Sequence, residues 1–321
     1  MLSKKKIFSI IGSIVISASL IFAGCGQQTA QQVQQVETVS ITHLDGTTEV
    51  PVNPKKVVIM DFGTLDTLDT IGAIPENLST SKATLPKYLQ KYKDDENVKD
   101  IGPLKEVDLE KIQAQHPDLI IISGRQTRFY KQLSEIAPTI DLSMNSNNFE
   151  EDFDRNIEII EKVFGHKDQL EKDKANIESR IRNISENKEY TDKKGLFILT
   201  TGNKIYAYGP GMRYGWLYST FNLTSVMGKD DIIEQKGPAG KAISYEYILQ
   251  KDPDYILVVD RDYAVNSGES AKKLLDNDII KQTKAYKNNK ITILPADVWY
   301  LTDGGLQSMN MIMDDIEDSL K

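Results

Sequence analysis

One cysteine, three histidines and two tryptophans are spread over 321 residues, and each scarcity removes a class of protein. A single cysteine permits no internal disulfide. His43, His116 and His166 lie far apart and have no ligand-like neighbours. They read as surface or loop histidines, and a bare divalent transition-metal site is not expected. No G-x-S-x-G elbow, H-E-x-x-H pair or Walker A lysine occurs. The glycine-rich stretch Gly209–Gly215 lacks the dinucleotide spacing. These absences weigh against an enzyme. Positive charge is also short: 39 Lys and Arg against 47 Asp and Glu give a formal net charge of −8. That balance argues against nucleic acid as a partner.

What is present begins with a leader. Lys4-Lys5-Lys6 is basic, Ile7 to Phe22 is apolar, and Ala23-Gly24 places small residues before Cys25. The apolar run is short for a membrane span of about 20 residues. This pattern is similar to a bacterial lipoprotein signal, with Phe22 in place of the usual leucine. It predicts a signal peptide over 1–24, lipid on Cys25 and an extracytoplasmic chain held to the membrane. The Gln-rich stretch from Gln27 to Val36 suits a flexible tether over 25–37. Loss of the three leader lysines moves the formal charge from −8 to −11. An anionic ligand would then have to be held by a local cluster of cations.

An internal repeat organises the rest. Val107-Asp108-Leu109-Glu110-Lys111-Ile112 leads to Pro117-Asp118 and, through Leu119–Ile122, to Ser123-Gly124-Arg125. Shifted by 136 positions, Ile243-Ser244-Tyr245-Glu246-Tyr247-Ile248 leads to Pro253-Asp254 and, through Tyr255–Val259, to Asp260-Arg261. Two similar lobes follow, each with an acid opening a helix and an arginine where a buried strand ends. Apolar runs at 57–60, 119–122, 195–199, 256–259 and 291–294 read as buried strands, with helical patterns between them. Alternation of this kind predicts an α/β fold with mainly parallel central sheets. The N-terminal lobe is placed at 38–152 and the C-terminal lobe at 188–321. Between them, Phe153, Ile157, Ile160, Phe164, Leu170, Ile177, Ile181 and Ile184 recur at helical spacing. They predict one long linker helix over 153–187, with Gly165 as a point of interruption.

Ligands of open parallel sheets bind outside the carboxyl ends of strands, where Arg125 and Arg261 both fall. Arg213 lies in a Gly/Pro-rich loop beside Tyr208, Tyr214 and Trp216. Asp297 to Gly305 holds Trp299 and Tyr300 between a strand and a helix. A phenol there, ordinarily titrating near 10, would need a Lewis acid such as Fe(III) to become a phenolate ligand.

Several motifs now stand in one order. They are the leader, Asn53-Pro54-Lys55-Lys56-Val57-Val58, Leu85-Pro86-Lys87-Tyr88-Leu89, Ile101 to Asp108, Ile122-Ser123-Gly124-Arg125-Gln126, Gly209 to Gly215, Val259-Asp260-Arg261 and Trp299-Tyr300-Leu301. Together they resemble the ferric-siderophore substrate-binding lipoproteins of ABC importers, in the catecholate and petrobactin-type branch, over essentially the whole mature chain. The resemblance implies two lobes joined by one helix, an anionic cargo in the form of an Fe(III)–siderophore, and no enzymatic activity. It implies that Arg125, Arg213 and Arg261 hold the anionic complex, with Tyr300, Trp299 and Tyr214 beside it. Glu110 and Glu246 correspond to the acids that dock each lobe onto an ABC permease. Some members complete the iron shell with a histidine and a tyrosine. Tyr300 matches the tyrosine, but the histidine position holds Ala239. That argues against metal ligation by Tyr300 and favours a hexadentate ligand. A monomer is expected. The rivals are the same scaffold carrying haem, a corrinoid or a hydroxamate siderophore, an extracytoplasmic enzyme on a two-lobe fold, and a surface adhesin. Turnover of a candidate ligand would mark the enzyme, and failure to bind any iron chelate the adhesin.

Overall fold

In the computed structural model, which describes residues 37–228, 230–231, 240–302 and 304–321, the apolar runs become the centres of two sheets. The leader, Cys25 and Ala239 lie outside the described residues. The strands are β1 (Thr38–His43), β2 (Gly46–Pro51), β3 (Lys56–Ile59), β4 (Asn77–Thr80), β5 (Lys99–Asp100), β6 (Leu119–Ile122), β7 (Thr139–Asp141), β8 (Lys194–Thr201), β9 (Lys204–Tyr208), β10 (Thr224–Ser225), β11 (Lys241–Ile243), β12 (Tyr255–Asp260) and β13 (Ile291–Ile293).

The N-terminal sheet runs β5-β4-β3-β6-β7 and is parallel throughout. All four residues of β6 are fully buried. A strand covered on both faces has no use for polar alternation, which is why Leu119–Ile122 reads as an unbroken apolar run. Each such side chain contributes roughly 1.5–3 kcal/mol on burial. The C-terminal sheet runs β11-β9-β8-β12-β13, with β10 also on β8. Its β8, β10, β12 and β13 are parallel, while β9 and β11 form an antiparallel flank. The flank follows from the tight Gly202-Asn203 turn, where Gly202 takes φ 58, a conformation that costs glycine little.

The connection between lobes is helical but not continuous. It begins at Phe149 rather than 153, and comprises Phe149–Phe164 and Lys167–Glu186. Gly165 (φ 77) and His166 (φ 64) stand between them in left-handed backbone, which no α-helix can pass through. His43 also departs from the expected exposure. It is buried in β1, with Nε2 at 2.9 Å from the Thr48 hydroxyl, and burial lowers its pKa.

The C-terminal helix (Leu306–Leu320) buries Met309, Ile312, Met313 and Ile316. Arg180 of the linker ties to it through the Asn310 side chain at 3.1 Å and Asp314 at 2.6 Å. Its start packs against the first helix of the N-terminal lobe, Phe62–Thr70. No helix among the described residues is long and apolar enough to cross a membrane.

Candidate functional site

Strand ends place the first two arginines. Arg125 follows β6 in a turn closed by the Gln126 N–H donating to the Ser123 carbonyl at 2.8 Å. Gln126 is fully buried, and its amide donates to the Leu104 carbonyl at 2.8 Å, so the turn is pinned to the loop before the Leu109–Gln113 helix. Arg261 follows β12. The buried Asp260 caps the short helix Arg261–Ala264 and accepts the Ser270 and Ala271 N–H groups at 2.7 and 2.8 Å. Arg213 comes from the loop between β9 and the Trp216–Thr220 helix.

All three converge on Tyr300. Arg125 and Arg213 donate to its backbone carbonyl at 2.5 and 3.0 Å, and Arg261 Nε to its hydroxyl at 3.1 Å. The three guanidinium carbons stand 5.5, 4.8 and 5.8 Å from the ring centroid, within cation–π range. Burial alone would raise the phenol pKa. The positive charges of Arg213, Arg261 and Arg125 outweigh it and hold the group below the ordinary tyrosine value.

Arg125, Arg213, Arg261 and Tyr300 line a cleft of about 560 Å³, together with Lys105 and Arg128. Arg125 and Arg213 are shared with a second recess of about 300 Å³, walled by Leu142, Met144, Phe149 and Trp216 and holding Asp61. Phe149 and Trp216 stack at 4.0 Å, 8° from parallel. One compartment therefore collects five cationic side chains, and the other sets apolar and aromatic walls beside Asp61, Ser123 and Ser146, with two guanidiniums on the border. Such an arrangement has the charge and the aromatic surface to suit a planar, polyanionic ligand.

Sequence reasoning overlooked Lys105, Arg128, Phe149, Met144 and Asp61. The first two carried a signal, since Lys105 sits in the Ile101–Asp108 motif and Arg128 three residues beyond Arg125. The others are brought in only by packing. Trp299 and Tyr214 stand elsewhere than on the cleft wall. Trp299 is 1% exposed, and its indole N–H donates to Asp315 at 2.7 Å. Neighbouring residues on a helix point about 100° apart, so Tyr300 faces the cleft while Trp299 enters the core. Tyr214, also 1% exposed, lies under the Arg213 guanidinium at 5.0 Å. Among the described residues no group of histidine, cysteine and acidic side chains could hold a metal ion.

The family model described as "Periplasmic binding protein" matches residues 57–298, a range that holds Arg125, Arg213 and Arg261 and ends just before Tyr300. The chain belongs to that family. It is 38% identical over 313 residues to the petrobactin-binding protein YclQ of Bacillus subtilis, covering 96% of this chain and 97% of that protein. It is 27% identical to the ferric-anguibactin-binding protein FatB of Vibrio anguillarum over 97% and 98% of the two chains. The crystal structure of YclQ superposes with a TM-score of 0.83 at 39% identity, over 89% of this chain and 99% of that one. The catecholate-siderophore binding protein VctP of Vibrio cholerae superposes with a TM-score of 0.80 at 30% identity, over 88% and 100%. The two-lobe α/β fold expected from the repeat is thus the fold of the family.

Glu110 and Glu246 are exposed in the first turns of Leu109–Gln113 and Tyr245–Lys251, one helix per lobe. Asp108 caps the first helix through the Lys111 N–H at 3.0 Å, and Ser244 the second through the Tyr247 N–H at 3.3 Å. Glu246 also takes hydrogen bonds from its own N–H and from Ser244 at the helix start, which lower its pKa, and both glutamates remain exposed.

Proposed function

We propose that this chain is an extracytoplasmic receptor, lipid-anchored through Cys25, that binds a ferric catecholate-type siderophore and delivers it to an ABC permease. It is a binding protein and not an enzyme, as its family and relatives are. The observation that carries the reading is the convergence of Arg125, Arg213 and Arg261 on Tyr300 in an acidic chain. A tris-catecholate Fe(III) complex bears three negative charges on planar rings, which three guanidiniums and aromatic walls match. The petrobactin-binding and catecholate-siderophore-binding relatives support the same cargo. Tyr300 serves as wall and hydrogen-bond partner, and the iron is saturated by its own chelator. Glu110 and Glu246 dock the two lobes onto the permease, and the receptor works as a monomer.

The test is a tryptophan-fluorescence titration of leaderless protein. The ligands are ferric hexadentate catecholate, ferric tetradentate catecholate, mixed catecholate–citrate, ferric hydroxamate and haem. Saturable quenching by a catecholate, weakened in Arg213→Ala, is expected. Preference for haem or hydroxamate would reassign the cargo, and silence with every iron chelate would refute the reading.

A further inference from the structure

Asp66 is a buried carboxylate in one lobe whose acceptor oxygens serve the other. It sits on the Phe62–Thr70 helix and is fully buried. Its Oδ1 accepts the Gln307 N–H at 2.8 Å and its Oδ2 the Ser308 N–H at 2.7 Å. The Tyr88 hydroxyl donates to Oδ2 at 3.0 Å, and that of Thr70 to Oδ1 at 3.3 Å. One residue along, the Thr67 hydroxyl accepts the Leu306 N–H at 3.3 Å. Three consecutive N–H groups opening the C-terminal helix are therefore received by the N-terminal lobe.

A helix start leaves such donors without partners. The residue at the cap position here is Gly305, which has no side chain to offer. Gly305 is also the only residue that fits. A Cβ there would lie 2.3 Å from Asp66 Oδ2 and 2.5 Å from its Cγ. A Cβ on Gly304 would come within 3.1 Å of Met144 Cε, from the wall of the apolar recess. Leu306, Gln307 and Ser308 are thus held by the opposite lobe, while Tyr300, a few positions earlier in the chain, collects the three arginines.

We propose that Asp66 is a positioning residue for the cleft, coupling the N-terminal lobe to the segment that carries Tyr300. Lobe placement and Tyr300 placement then change together. The consequence for affinity rests on the ferric-catecholate reading, whereas the coupling itself does not. Removing the carboxylate charge frees the helix start, loosens the lobes and lets Tyr300 drift from the arginines that depress its pKa.

The experiment compares wild-type leaderless protein with Asp66→Asn, Tyr88→Phe and Gln307→Pro. The last deletes one donor in the first turn, where the N–H makes no intrahelical bond. With the chain begun after Cys25 there is no competing thiol, so spin labels can be placed at Lys131→Cys and Lys287→Cys, both exposed. Three quantities are read on folded protein: the inter-label distance distribution, the Tyr300 phenol titration by ultraviolet difference against Tyr300→Phe, and affinity for ferric hexadentate catecholate. Expected for Asp66→Asn are a broadened distribution, a Tyr300 titration moved back toward the ordinary value, and about tenfold weaker binding. A loss of stability without coupling would leave the first two unchanged, and that result overturns the proposal. If Asp66→Asn does not fold, the milder variants carry the same readouts in the same directions. Failure of wild type to bind the chelate sinks the cargo reading alone, since the distance and phenol measurements need no ligand.

Discussion

Arg125 donates to the backbone carbonyl of Tyr300 at 2.5 Å, joining residues 175 positions apart and one from each lobe. The same carbonyl accepts Arg213 at 3.0 Å. A neutral carbonyl is a weaker partner for a guanidinium than an anionic oxygen. Both arginines are therefore placed for an exchange in which a charged ligand improves on what they already hold.

Arg213 stands on the border of the two compartments and should be the most costly of the three to remove. Hydrogen bonds to charged groups contribute about 1.5–3 kcal/mol, so Arg213→Ala should weaken ferric-catecholate binding roughly 10- to 100-fold. Fluorescence titration measures it, and wild-type affinity in the variant would remove Arg213 from the site.

Tyr300 should titrate below an ordinary tyrosine, because its three arginine neighbours outweigh its burial. A depressed acid stabilises the fold fully only above its unfolded value, and that gain disappears as pH falls through the folded value. Stability should thus rise with pH across the interval between the lowered value and 10. Tyr300→Phe should abolish this contribution and the early phenolate absorbance, with little change near neutrality.

Gly215 lets the Arg213 loop fold onto itself. A Cβ there would lie 2.6 Å from the Gly211 nitrogen and 2.7 Å from the Gly209 carbonyl oxygen. These are backbone atoms that cannot rotate away. Gly215→Ala should cost roughly 1–3 kcal/mol in stability and displace Arg213, so chemical denaturation and ligand affinity should both decline.

Glu110 and Glu246 are exposed and are not part of the cleft lining. Glu110→Arg combined with Glu246→Arg should leave ligand affinity intact and abolish uptake of labelled iron chelate by cells. Undiminished uptake would refute docking by this pair.

Asp231 binds Lys251 at 2.7 Å and Lys241 at 3.3 Å. Burial raises its pKa, but these lysines, the Gly228 N–H and Tyr247 overcome that and hold it far below the ordinary carboxylate. Its contribution is complete above the unfolded value of 3.8 and fades as pH falls through the lower folded one. Asp231→Asn should be less stable by roughly 1–3 kcal/mol at neutral pH. The difference from wild type should shrink under strong acid, as denaturant midpoints against pH would reveal.

Much of the scaffold was legible because its determinants are local. The repeated Pro-Asp is a case. Asp118 accepts the Lys55 and Lys56 N–H groups at 3.1 and 2.9 Å at the start of β3, and Asp254 accepts the Lys194 N–H at 2.9 Å at the start of β8. Residues 136 positions apart fasten equivalent strands, so a periodicity in the chain became a periodicity in space. The break at Gly165 and His166 was half legible, since glycine marks the spot but a left-handed histidine does not announce itself.

The chain by itself determined the leader pattern, the two lobes, the buried strands and the three arginines at loop positions, because apolar runs, capping residues and strand-end charges act on near neighbours. Tertiary structure alone decided that those arginines meet on one tyrosine, that Trp216 rather than Trp299 faces the cleft, and that Asp66 receives the opening N–H groups of a helix about 240 positions away. Such contacts are set by how packed elements cross, and crossing depends on the shape of the whole core, which no window of sequence contains.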